Sequence, residues 1–291
     1  MSLSVVSPFR ASLCALGALA LGGCTTSVSS PSEAIDAEVN AAATGIVVVE
    51  GTASNEGSRA EAVARFVRTR AGAVDDDALR MVGAAVDFPA VGSCESLGGA
   101  RGASAASAIL LVDVGGVSIM AGEGFATLQA RQVPDVADLV SGVVYSARAD
   151  ELPTKSTYML RVDGSADLEV PAFVVSASSP GEPTDVHVSH DDGRTGAVAI
   201  APAARSIDVT WDRGSGDDAI YVDIAGANGA PAARCLFDDS GHAALPGAAF
   251  GSLEEGTLAV HRLHREAFHT RGVEPGEVRF DFARVVAFAR R

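Results

Sequence analysis

The chain has 291 residues, 47% of them hydrophobic, and a formal net charge of −15 at neutral pH. That hydrophobic content supplies a core and excludes wholesale disorder, which needs low hydrophobicity together with high charge. The acidity repels phosphate backbones and anionic head groups, arguing against nucleic-acid binding and against a basic membrane patch; its plain reading is solubility.

In chain order, the first element is an apolar run from Leu13 to Leu21, preceded by Arg10 and interrupted by Gly17. It falls short of the roughly 20 apolar residues that span a bilayer and reads as the core of a secretory signal peptide. It ends in Leu21-Gly22-Gly23-Cys24. That ending resembles the lipobox of bacterial lipoproteins. The resemblance implies a signal peptide over residues 1–23, cleavage after Gly23 and a membrane anchor by lipid on Cys24. The chain as a whole resembles secreted lipoproteins of high-GC Gram-negative bacteria, a likeness of composition that carries no activity. Thr25 stands where lipoproteins retained in the inner membrane often carry Asp. By analogy the address is the outer membrane, on either face. Residues 24–44, rich in Ser, Thr and Ala, read as a tether; a coil of that length reaches roughly 25 Å.

From Ile46 onward the dominant pattern is alternation of apolar and polar residues, the mark of half-buried strands. It runs through Tyr158–Val162, Ile207–Trp211, Ile220–Ile224 and Val278–Phe282. Turn pairs such as Asp163-Gly164, Asp192-Gly193 and Asn228-Gly229 lie between them and suit tight hairpins. Ser58–Arg70 resists assignment: Val63, Phe66 and Val67 are at helical spacing, while the surroundings favour a strand. Asp75-Asp76-Asp77 marks another possible helix start. The pattern predicts an all-β protein of two tandem β-sandwich (Ig-like) domains. They are divided at Ser178-Ser179-Pro180-Gly181-Glu182-Pro183 into residues 45–180 and 184–291. A faint echo between Tyr158–Phe173 and Arg234–Phe250, each read as strand, turn, strand, Pro and Phe, is compatible with related domains.

Of four cysteines, Cys14 leaves with the leader and Cys24 takes the lipid. Cys94 and Cys235 remain in a compartment that permits disulfides. They form either a bridge or two separate thiols.

Three groups of residues are candidates for chemistry. His261, His264 and His269 lie in HRLHREAFH. A helix would place the first two together, but a regular strand sends His261 and His269 one way and His264 the other. Acidic turns follow one another in the C-terminal half, the strongest being Asp212 with Asp217 and Asp218. Calcium takes clustered carboxylate oxygens, yet no EF-hand or nonapeptide spacing is present, and Asp and Gly are ordinary turn residues. Catalytic signatures are missing: Gly92-Ser93-Cys94-Glu95-Ser96 lacks the closing glycine of a nucleophile elbow. Trp211, the lone tryptophan, reads as core.

The sequence therefore favours a lipid-anchored, non-enzymatic binding or structural module with no cofactor, whose partner is a protein or glycan. The alternatives are a hydrolase or metal-dependent enzyme, with His261, His264 or the acidic loops converging in one pocket, and a calcium-binding adhesion module.

Overall fold

In a computed structural model the structure describes residues 42–70, 73–98, 108–149, 152–166, 170–214 and 218–291. The leader, Cys24, nearly all of the tether and Asp217 lie outside the described residues. None of the described helices is long and apolar enough to cross a membrane.

The described chain is all-β. It begins with the hairpin of β1 (Ala43–Ser54) and β2 (Gly57–Thr69). The Ser58–Arg70 ambiguity resolves as strand because Ala60, Ala62, Ala64 and Phe66 form the inward series. Small alanines carry little weight in a hydrophobic pattern, so Val63, Phe66 and Val67 alone look helical. A short helix, α1 (Asp76–Met81), starts where the acidic triplet does; the Asp75 carboxylate caps it by accepting from the Ala78 N–H at 2.8 Å.

The strands that follow are β3 (Ser93–Ser96), β4 (Ile109–Leu111), β5 (Val117–Ala121), β6 (Gly124–Val136), β7 (Val140–Ala149), β8 (Thr157–Val162), β9 (Phe173–Ser178), β10 (His187–Val188), β11 (Val198–Ile200), β12 (Ser206–Thr210), β13 (Ala219–Gly226), β14 (Pro231–Asp238), β15 (His242–Pro246), β16 (Glu255–Thr270) and β17 (Val273–Arg290). They form a 14-stranded sheet, in the order β3-β14-β13-β16-β17-β1-β2-β4-β7-β6-β5-β8-β9 with β11 beside β17, and a smaller sheet, β10-β12-β15.

One face of the large sheet carries two cores. In the first, β5, β6, β8 and β9 fold back so that Val117, Ile119, Leu128, Leu160 and Val162 meet Val47, Val49, Phe66 and Phe280. Gly51 permits this packing, since a Cβ there would lie 2.7 Å from the Phe282 ring. The free edge of β9 closes on β16: the Ser178 N–H donates to Glu266 at 2.8 Å and Phe173 packs on Phe268. In the second core, Ile220, Val222, Ile224, Leu258, Val260, Val286 and Phe288 face Val188, Ile207, Val209 and Leu245 of the small sheet. This is sandwich packing, two sheets burying their inner faces against each other.

The buried residues of the second core all lie after the expected boundary at 180–184, but the first core also draws residues from beyond it. The hairpin β16–β17 runs through both: Val273, Val278, Phe280 and Phe282 belong to the first, Val286 and Phe288 to the second. β17 lies parallel to β1 over Ala43–Ala53. The Pro/Gly-rich stretch is a fastened crossing, because the buried Arg262 guanidinium donates to the carbonyls of Gly181 and Glu182 at 3.0 and 3.2 Å. The echo dissolves as well. β8 and β9 pair with each other, whereas β14 lies in the large sheet and β15 in the small one.

Candidate functional site

The opposite face of the large sheet is polar where it crosses β14, β13, β16, β17, β1 and β2. Strand register builds this face. Tyr221 of β13 lies opposite His261 of β16, Asp281 of β17 opposite Glu50 of β1, and Glu50 opposite Glu61 of β2. The Tyr221 and His261 rings stack with centroids 4.1 Å apart. Asp281 joins them, its carboxylate accepting from the Tyr221 hydroxyl and lying 2.8 Å from His261 Nδ1. That bond places the proton of a neutral imidazole on Nδ1 and leaves Nε2 as the basic nitrogen. On the other flank Arg234 pairs with Asp223 through two bonds of 2.7 Å and stacks over Tyr221 at 4.8 Å.

Burial, reinforced by Asp281, holds the Tyr221 hydroxyl well above its ordinary pKa. Glu50 is exposed to solvent on one side yet has protein charges around it. Loss of hydration, followed by the charges of Asp281 and Glu61, raises its pKa, with His261 and Arg65 opposing. A cleft of about 610 Å³ opens beside it, lined by Glu50, Thr52, Arg59, Glu61 and Arg148. Both signs of charge face this cleft, so it suits a polar ligand.

The residues singled out from sequence do not converge. His264 occupies the other face of β16, with Nδ1 2.7 Å from Asp218. His269 is exposed, 3.7 Å from Glu274. Asp212 accepts from the Thr184 hydroxyl at 2.8 Å, and its backbone carbonyl accepts from Arg262. Asp217 lies outside the described residues. Among the described residues, no group of three or more His, Cys, Asp or Glu side chains could hold a metal ion. Cys94 and Cys235 are directly opposed on β3 and β14 and joined by a disulfide across 141 residues.

Sequence reasoning missed Tyr221, Asp281 and Glu50. A usable signal existed: a polar residue between Phe280 and Phe282, and a tyrosine between Ile220 and Val222, must point away from the core. It also missed the charge buried beneath Trp211. The Asp239 carboxylate accepts from the Trp211 indole at 2.7 Å, the Gly214 N–H at 2.9 Å and Arg262 Nε at 2.8 Å.

No protein-family model and no curated protein sequence matches the chain. Among solved structures, the FN1–FN3 domains of chicken CNTN1 align over 87% of this chain and 69% of that one, with 11% identity and a TM-score of 0.24. At that score the likeness adds nothing to the strand pairing described above.

Proposed function

We propose that the protein is a lipid-anchored component of the bacterial cell envelope, held at the outer membrane through Cys24, and that it acts as a non-enzymatic binding or structural module. The observation that carries this reading is the separation of His261 and His264 to opposite faces of β16, each tied to its own aspartate. The reactive groups that an enzyme reading required thus serve different surfaces. What the fold offers a partner is a braced sheet with open polar clefts, suited to a protein or glycan ligand.

Two measurements test this. Mass spectrometry of protein purified from membranes should give an acylated chain beginning at Cys24, and Cys24→Ser should move the protein out of the membrane fraction. An unmodified amino terminus elsewhere would remove the anchor from the reading. Affinity capture on an envelope extract should retain a specific protein or glycan; a protein that retains neither is not a binding module.

A second reading, a hydrolase, is favoured by the His261–Asp281 pair, since an oriented imidazole is a general base. It predicts turnover of an envelope ester or glycoside that His261→Ala abolishes.

A further inference from the structure

Residues 73–98 leave the first half of the molecule and end on the far edge of the second, crossing the polar face between. Ala84 packs on Ile46 and Val48 of β1, and its carbonyl accepts from Arg279 at 2.7 Å. The Phe88 ring meets Tyr221 edge-on, centroids 5.1 Å apart, and the Arg234 and Arg265 guanidinium groups lie 5.5 and 5.6 Å from that ring. The Asp87 carbonyl accepts from Arg234 at 3.3 Å. The far end is held by Gly92 N–H to the Leu236 carbonyl at 2.7 Å, by β3, by Leu97 N–H to the Ala232 carbonyl at 2.9 Å, and by the Cys94–Cys235 disulfide. Between Gly83 and Ala90 the strap has no regular strand or helix pairing; side chains hold it, Arg80 Nε donating to the Asp87 carboxylate at 2.8 Å besides the contacts above.

We propose that this strap is a redox-latched cover: reduction of Cys94–Cys235 releases residues 84–98 from the sheet and uncovers the Tyr221–His261–Asp281 cluster. Two observations support it. The latch is reachable, because Cys94 lines an open cavity of about 490 Å³ with Ser96, Ala233, Phe250 and Leu253, while Cys235 is fully buried. Among the described residues the latch is also the one covalent cross-link in the strap's hold; the other bonds at that end are non-covalent, among them those of the four-residue edge strand β3 and of Gly92, Ser96 and Leu97. A disulfide restrains opening mainly by limiting the freedom of the opened chain, so its loss favours opening.

The reductant is a dithiol. One thiolate attacks Cys94 Sγ, forming a mixed disulfide and expelling the Cys235 thiolate, which takes a proton. The second thiolate of the dithiol then attacks its own sulfur in the mixed disulfide. The Cys94 thiolate leaves and is protonated, and the reagent departs as its internal disulfide. Two electrons and two protons have passed to the protein.

The test uses the full chain with and without dithiothreitol, reduction being verified by thiol counting. Hydrogen exchange at Gly92, Leu97 and the β3 amides should rise about tenfold or more on reduction. With the reductant removed and the freed thiols alkylated by iodoacetamide, nitration by tetranitromethane should then modify Tyr221. Tyr145 and Tyr158, buried in the first core, are internal controls and should stay protected. The C94S/C235S protein should behave as the reduced one. Phe88→Ala should raise Tyr221 nitration with the disulfide intact. Unchanged exchange after verified reduction overturns the proposal. So does a protected Tyr221 despite faster strap exchange, or reaction of all three tyrosines together, which would make the bridge a purely structural brace.

Discussion

At the scale of single residues, the buried pair Arg262–Asp239 fastens several segments together. Each side chain is 3% exposed. Arg262 satisfies Asp239 and the carbonyls of Gly181, Glu182 and Asp212 at once. One guanidinium thereby ties the chain crossing at 181–182 to β16 and to the segment that follows β12. Removing only the cation leaves Asp239 charged and desolvated, which costs about 3–5 kcal/mol for a buried pair. Arg262→Met should lower urea-unfolding stability by that amount, and adding Asp239→Asn should recover part of it; a double-variant loss equal to the sum of the two single losses would show that the pair is uncoupled. Glu50 behaves in the opposite sense. Its pKa is raised by burial and by Asp281 and Glu61, so ionisation opposes the folded state. Its favourable contribution is complete below the unfolded pKa and disappears as pH rises through the folded one. Glu50→Gln should therefore be more stable than the parent at neutral pH, the difference closing as pH falls toward about 4. A difference that does not vary with pH would mean that Glu50 does not titrate as described.

At the scale of elements, the terminal hairpin determines where the molecule can be divided. Val273, Val278, Phe280 and Phe282 complete the first core from the far end of the sequence. At about 1.5–3 kcal/mol for each large apolar side chain buried, they contribute an amount comparable with a whole domain's stability of about 5–15 kcal/mol. A chain ending at Pro180 should stay unfolded by circular dichroism and show collapsed amide dispersion by NMR. A folded fragment would restore the boundary at 180–184. Individual strands were legible because their alternation is local: Ile207 and Val209 point inward and Asp208 outward, as their pattern requires. The division was not legible, because Pro180 and Gly181 make the same local signal in a flexible linker as in a strap pinned by Arg262. The parallel pairing of β1 with β17 joins residues more than 200 positions apart, and no local pattern carries that register. The candidate site was hidden for the same reason. His261 was visible as a residue, but its partners Asp281 and Tyr221 are chosen by pairing across three strands.

At the scale of the whole molecule, the shared hairpin should make two cores behave as one. Each core lacks a wall without β16 and β17, so melting either one frays strands that the other needs. The disulfide and residues 73–98 add a second crossing, from β2 in the first half to β14 in the second. Tandem sandwiches joined by a flexible linker would unfold in separate steps; this arrangement predicts a single one. The probes are well placed. Trp211 lies in the second core, while Tyr145 and Tyr158 lie in the first. Trp211 fluorescence and the signals of fluorinated tyrosines at 145 and 158 should share one urea midpoint. Calorimetric and van't Hoff enthalpies should agree, as two-state unfolding demands. Separated midpoints, with Trp211 changing before or after the tyrosines, would mean that β16 and β17 can break between Phe282 and Val286 and that the halves are energetically independent. Coincident midpoints would make the 42–291 body one folding unit, in which a ligand bound to either face stabilises both cores together.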